Sequence, residues 1–377
     1  MADGSSIIAG LYMDETYHKM YSSSSRLTDG VPEELREVIH HHWDQFSPVN
    51  PLVTHFFAVF YFFLCSASLF GNLLVMYIFI KVKSLRTPSN MFVVNLALSD
   101  FCMILTQAVP VIFNAFMQRY WAWGVFGCKL YGFLGAVFGV ESILTMVIIG
   151  YDRYNVIVKG MNGTRITPMR AFILLLFIWF YAIGVSALAL FNVWGGFMAE
   201  GLLLTCSYDY LSEDWNNFTY IIFTIIFLYV IPLSMVFFFY SSIVKAVWSH
   251  ELALKKQAKK MNVDSLRSNT DSNAESAEIR IAKVAITNVS LWAGIWTPYT
   301  LVVLAAVLGS KSSITPLVSQ LPAFIAKTAS CINPLVYAVS HPKYREALMT
   351  EVPCLGIQEQ GAPKKGGEDQ SEKQTTA

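Results

Sequence analysis

The chain has 377 residues, of which 54% are hydrophobic and 14% charged, with a net charge of +1. So few charged groups point away from a water-soluble surface, and the positive charges sit in short loops rather than in one patch, so the net charge gives no sign of a nucleic-acid partner. The apolar residues fall instead into seven stretches of the ~20 residues needed to cross a bilayer, at about 53–80, 89–113, 126–151, 169–192, 217–245, 282–309 and 315–338. The fold class this predicts is an all-α membrane protein, a seven-transmembrane helix bundle over 53–338.

Residues 1–52 read as a polar N-terminal tail. His40, His41 and His42 are consecutive, so they point in different directions, which suits a solvated segment better than a metal tract. No apolar core of signal-peptide length precedes the first span, which is therefore expected to act as an uncleaved insertion signal. Lys81, Lys83 and Arg86 follow the first span. Lys159, Arg165 and Arg170 separate the third from the fourth, and Lys255, Lys256, Lys259, Lys260 and Arg267 the fifth from the sixth. The loops on the other side carry little beyond Arg119 and Lys311, so the positive-inside bias puts the N-terminus outside the cell and the C-terminus in the cytoplasm. Of the six cysteines, only Cys128 and Cys206 fall on the outer side, where an oxidising compartment permits a bridge, and they are paired on that ground. The Asn217-Phe218-Thr219 sequon sits too close to the membrane for glycosylation, and no internal repeat suggests a transporter built from two halves. Residues 356–377 are polar and expected to be disordered.

Four ionisable residues in or at the ends of the spans stand out: Asp100, Glu141, Arg153 and Lys327. On insertion scales a Lys or Asp at a helix centre costs ~2.5–3.5 kcal/mol, so each needs a partner or a task. Lys327 stands about eleven residues before the end of the seventh span, ~16 Å at 1.5 Å per residue, near mid-membrane. Gln320, Lys327 and Pro334 share one face at seven-residue spacing. Two readings stay open on these grounds: a lysine paired with a carboxylate or lining an ion path, and a desolvated lysine activated as a nucleophile toward an aldehyde. Asp152-Arg153-Tyr154 falls at the cytoplasmic end of the third span, where Arg153 can be held by Asp152 and by Glu278 at the foot of the sixth. Pro298 and Pro334 remove helical hydrogen bonds and can hinge their helices, so two hinged helices beside an ionic latch make a two-state switch.

In order along the chain, Gly71-Asn72, Leu96-Ala97-Leu98-Ser99-Asp100, Cys128, Asp152-Arg153-Tyr154, Trp179, Pro232, Tyr240, Trp296-Thr297-Pro298 and Asn333-Pro334-Leu335-Val336-Tyr337 resemble the rhodopsin-like (class A) G-protein-coupled receptors over about 53–350. Lys327, six residues before Asn333, makes the resemblance one to the opsins, and Ser340 to Arg345 with Lys255 to Asn269 to the invertebrate, arthropod-type visual opsins. The resemblance implies a visual pigment, not an enzyme, that binds 11-cis retinal or a hydroxylated analogue as a protonated Schiff base on Lys327. It also implies a Gq-type heterotrimeric G protein, an arrestin and a receptor kinase as partners, and the plasma membrane of photoreceptor microvilli as location. Residues 339–355 would be an amphipathic cytoplasmic helix ending near Cys354, a possible palmitoylation site.

The site residues this implies are Trp296, Tyr299, Tyr131 and Glu141 around the chromophore, with Asp100, Asp152, Arg153, Tyr154, Glu278, Asn333, Pro334, Tyr337 and Tyr240 in the switch. Tyr131 stands where vertebrate visual pigments carry their counterion glutamate, so the negative charge must come from elsewhere. Glu200, six residues before Cys206, matches the loop position that invertebrate opsins use. Asp100 and Glu141 are its rivals: Asp100 is expected in a cluster with Asn72 and Asn333, Glu141 at the far end of the retinal pocket. Thr106-Gln107 stand where ultraviolet arthropod opsins commonly carry a lysine, which favours a visible-light pigment. A receptor for a diffusible ligand, a retinal photoisomerase and an ion pump are the other classes in view, separated by whether the chain gains a visible band with retinal and then activates a G protein.

Overall fold

Four helices begin on a polar cap followed by proline, a start signal written into the sequence. Asn50, Thr87, Thr167 and Thr315 cap α1 (Pro51–Lys81), α2 (Pro88–Phe113), α4 (Pro168–Leu190) and the first part of α7, each side chain accepting from a backbone N–H of the first turn. Between them runs α3 (Gly124–Ile157). The computed structural model describes residues 25–118, 120–261, 277–340 and 342–355. The fifth helix, α5, is α-helical over Trp215–Phe223 and Ile231–Lys260, with a π-helical stretch Thr224–Val230 between. Beyond α6 (Ala277–Val307), the seventh is split: α7 runs over Pro316–Thr328 and Ile332–Ser340 around a 3-10 turn, Ala329–Cys331. A short α8 (Pro342–Glu351) follows, where an amphipathic helix was expected.

Among the described residues six helices are long and apolar enough to cross a membrane. The seventh span is divided by its 3-10 turn into pieces of 13 and 9 residues. Burial follows the logic of a lipid solvent: Phe172, Phe177 and Phe180 of α4 and Phe237 and Phe238 of α5 are exposed, while Asn72, Ser99, Asp100 and Glu141 are buried. At the centre, α3 packs against α2, α4, α5 and the hairpin. At the end of the bundle away from the hairpin, α8 folds back on α1: Tyr344 stacks on Phe79 at 5.4 Å and Lys81 pairs with Glu351 at 2.7 Å.

The hairpin joins β1 (Phe197–Glu200) to β2 (Thr205–Tyr208), antiparallel, with Glu200 opposite Thr205. Cys206 of β2 is bonded to Cys128 at the start of α3, the pairing expected from the sequence. Gly201 sits in the turn at φ +59°, and a Cβ there would come 2.9 Å from the Pro316 carbonyl oxygen, so the turn can lie against α7 only with glycine.

The N-terminal segment departs from the expected tail. From about residue 25 it packs over the hairpin: Leu35, Val38 and Trp43 are buried, Trp43 Nε1 donates to the Ala199 carbonyl at 3.2 Å, and Ile39 forms a parallel bridge with Ala199. These apolar residues are too sparse to register as a helix or strand pattern, yet enough to seal a lid. Nor is the histidine run all solvated. His42 is buried, its Nε2 lies 2.8 Å from the Ile314 carbonyl oxygen, and Gln45 Nε2 donates to its Nδ1 at 3.0 Å. His40 Nδ1 accepts from His42 N and so caps the short 3-10 helix His41–Gln45.

The His40 imidazole serves as an acceptor, so its protonation breaks the cap. Burial, then the charge of His41, lowers His40 from 6.5 to about 4, against a smaller upward pull from Asp209. A base with a depressed folded-state value contributes stability above its unfolded value and loses it as pH falls toward the folded one. We predict that backbone amides of 39–46, corrected for intrinsic rate, exchange faster as pH falls from 6.5 to about 4. In His40→Asn, which keeps an acceptor without a titrating ring, this acceleration flattens.

Candidate functional site

Lys327 lies one residue before the end of the first half of α7. Its Nζ sits 5.2 Å from the centre of the Tyr131 ring on α3 and makes no ion pair among the described residues. The charge it interacts with is Glu200, which the hairpin turn brings in from the loop side. The Glu200 carboxylate is buried and takes one donor on each oxygen: Thr205 Oγ1 to Oε1 and Tyr210 Oη to Oε2, both at 3.3 Å. Burial holds this carboxyl above the usual range, and the Lys327 charge with the Tyr210, Thr205 and Tyr299 hydroxyls pulls it back down.

Around this pair the fold builds a polar rim and an apolar floor. Gln320, two turns before Lys327 on α7, accepts from the Leu202 backbone N–H at 3.1 Å and donates to Thr205 at 3.0 Å. Tyr299 hydrogen-bonds Ser207 of β2, and Gln107 donates to the Tyr131 carbonyl at 3.0 Å. Trp296 stacks on Trp292 at 5.7 Å and meets Tyr299 edge-on at 6.5 Å. On α3 it faces Gly139, where a Cβ would lie 3.5 Å from the indole. The buried Trp296 Nε1 has no hydrogen-bond partner among the described residues. An amine without an ion pair, a glycine opposite a large indole and aromatic walls fit an elongated apolar aldehyde better than a water-soluble ligand, which would need more polar contacts.

The two rival carboxylates sit elsewhere. Asp100 accepts from Asn333 Nδ2 at 2.6 Å and Ser142 Oγ at 3.3 Å. Asn72 belongs to the same region one step removed, donating to the Ser330 carbonyl in the 3-10 turn of α7 at 2.9 Å. Glu141, expected along the pocket, is turned toward α2 instead. It accepts from Asn95 and from Thr145, the latter at 2.6 Å, while Trp179 of α4 donates to Asn95 at 2.9 Å. Asn95 of α2, held in turn by Trp179, and Thr145 of α3 draw the carboxyl to that side of α3, whereas Trp296 meets α3 at Gly139.

At the opposite end of the bundle Arg153 pairs with Asp152 at 3.3 Å, and Tyr240 packs against Gly150 one turn away. Tyr154 packs against Phe238 and Phe239, and Pro334 against Gly71. The side chains of Glu278 and Tyr337 lie outside the described residues. Cys354 is exposed just beyond α8. Sequence reading missed Tyr210, Thr205, Ser319 and Asn95. Only Gln320 carried a signal, its shared face with Lys327.

Residues 71–337 match the family described as 7 transmembrane receptor (rhodopsin family). The chain belongs to that family, among its invertebrate opsins. It is 46% identical to compound eye opsin BCRH2 of Hemigrapsus sanguineus over 95% of this chain and 94% of that protein. To the lateral eye opsin of Limulus polyphemus it is 41% identical, over 94% and 93%. The crystal structure of squid rhodopsin superposes with a TM-score of 0.75 at 37% identity, covering 84% of this chain and 90% of that one. The chain is therefore a multi-pass membrane receptor of a family that couples to heterotrimeric G proteins, not an enzyme.

The Glu141 cluster gives a stability test. Asn95→Ala strips partners from both Glu141 and Trp179, and unsatisfied buried groups cost about 1–3 kcal/mol each. Its thermal midpoint in detergent should fall well below that of Glu141→Gln, which keeps one acceptor oxygen for Asn95 and Thr145.

Proposed function

We propose that the protein is a light-activated receptor that holds 11-cis retinal or a hydroxylated analogue as a protonated Schiff base on Lys327 and activates a Gq-type G protein. What carries this reading is the pairing of an amine without an ion pair, in an aromatic-walled site, with a single buried carboxylate, in a chain whose relatives are eye opsins. Lys327 supplies the nucleophile. Its nitrogen keeps a proton because Glu200, the counterion, offers a negative charge in a site of low dielectric, where an isolated cation would lose it. Asp100 and Glu141, each bonded within its own cluster, leave Glu200 as the carboxylate that serves. Retinal supplies the absorption of light and, on isomerisation, a change of shape.

The residues of the chain convert that change into motion. Trp296, packed between Gly139, Trp292 and Tyr299, has no room to stay still when the pocket changes shape, and Pro298 two residues on lets α6 hinge. Release of Arg153 from Glu278 lets α6 swing out and opens the G-protein cleft, with Tyr240 and Tyr337 bonding in the opened state. In this reading the N-terminus is extracellular, the location is the plasma membrane of photoreceptor microvilli, and receptor kinase, arrestin and palmitoylation at Cys354 act on the cytoplasmic side.

Expression with 11-cis retinal and an absorption spectrum tests the core of this. A visible band is expected in the wild type and lost in Lys327→Ala, and light should then drive nucleotide exchange on a Gq-type protein. The absence of a band rejects the pigment reading; a band without exchange favours a photoisomerase. In Glu200→Gln the Schiff base should lose its proton at lower pH than in the wild type, and an unmoved titration rejects Glu200 as counterion. Glu278→Gln should raise exchange in the dark, and flat basal activity removes Glu278 from the latch.

A further inference from the structure

The Glu200 carboxylate is held from α7, through a residue with no assigned role. Tyr210, two residues beyond β2, is buried; its hydroxyl lies 3.3 Å from Glu200 Oε2 and 2.7 Å from Ser319 Oγ on α7. A hydroxyl has one proton to give, and a carboxylate only accepts. Tyr210 must therefore donate to Glu200, which leaves the buried Ser319 as the donor to Tyr210. The chain runs one way, from Ser319 to Tyr210 to Glu200.

Its origin matters. Ser319 and Lys327 lie on the same unbroken stretch of α7, Pro316–Thr328, eight residues apart, ~12 Å along the axis. The 3-10 turn Ala329–Cys331 separates this stretch from the rest of the helix. One helical segment, with Pro322 between them, thus carries both the amine and the hydroxyl that anchors the carboxylate facing it. A parallel relay from the same segment, Gln320 Nε2 to Thr205 at 3.0 Å and Thr205 to Glu200 Oε1 at 3.3 Å, holds the other oxygen, so Tyr210 is what fixes Oε2.

We propose that Tyr210 is the positioning residue of this site: by relaying the Ser319 hydrogen bond it fixes the Glu200 carboxylate relative to α7, so that carboxylate and amine keep their spacing when the hairpin or α7 shifts. The proposal rests on Glu200 being the counterion. Besides Tyr210, the groups facing Glu200 are Lys327 on α7, Tyr299 on α6, Tyr131 on α3 and Thr205 on β2, and Asp209 faces Tyr210.

The test uses the full chain in lipid nanodiscs, in two arms. In retinal-free protein, infrared titration follows the protonated carboxyl band that Glu200→Gln removes. Tyr210→Phe keeps the ring but deletes the donor to the charged form, so the Glu200 midpoint should rise by about one unit, a tenfold change in the proton equilibrium. Ser319→Ala should move it the same way by less, and Ser319→Thr, which restores a hydroxyl, should return it. In protein loaded with 11-cis retinal, Tyr210→Phe should lower the pH at which the visible band is lost, and add nothing in a Glu200→Gln background. A Glu200 midpoint indifferent to both Tyr210→Phe and Ser319→Ala overturns the positioning role, whatever Glu200 does in the pigment. A visible-band titration indifferent to Glu200→Gln overturns the counterion reading instead, and with it the need to position that carboxylate. Should Tyr210→Phe fail to fold, the Ser319→Ala and Ser319→Thr pair decides alone.

Discussion

A lysine at mid-depth in an apolar bundle is the constraint from which the rest of this architecture follows. Left alone, Lys327 would cost ~2.5–3.5 kcal/mol to insert, and no residue of α7 itself can offset that. In the proposed reading the compensating charge is that of Glu200, on a hairpin far away in sequence that brings a carboxylate with its own donors, Thr205 and Tyr210. Burying a charge is tolerable only when its remaining lone pairs are satisfied, and the Thr205 and Tyr210 hydroxyls do so, one on each carboxylate oxygen.

Holding the hairpin there takes three independent devices. The Cys128–Cys206 bond ties β2 to the central helix α3, and Gly201 lets the turn touch α7. The N-terminal segment seals the hairpin from above through Trp43 and Ile39. Each acts on a different edge, so together they fix position and orientation. Access to the lysine is closed from that end by protein, not by lipid.

The 3-10 turn in α7 separates two polar sites that a straight helix would couple. Before it lie Ser319, Gln320 and Lys327, facing the hairpin; after it lies Asn333, bonded to Asp100 at 2.6 Å. The Ser330 carbonyl in the turn, free of a regular helical partner, is taken by Asn72 of α1. A break so satisfied from a neighbouring helix is the kind of element that holds two discrete arrangements, which a receptor that switches requires.

The sequence by itself determined the spans, because bilayer crossing is a one-dimensional demand on length and apolarity. The expected stretches at 53–80, 89–113 and 169–192 lie within two residues of α1, α2 and α4 at both ends. It erred where helices outrun the membrane, as α3 and α5 do, since polar turns beyond the lipid carry no hydropathy signal. Lys327 was legible as an anomaly, and the cysteine pair followed from compartment alone. The break in α7 at Ala329–Cys331 was marked as well, by Pro334, which has no N–H for the Ser330 carbonyl four residues back. Only the tertiary structure decided that Glu200 comes within electrostatic reach of the lysine, that Glu141 turns to Asn95, and that residues after about 25 form a lid. These depend on contacts between segments far apart in the chain, and periodicity along one segment holds no record of what will pack against it.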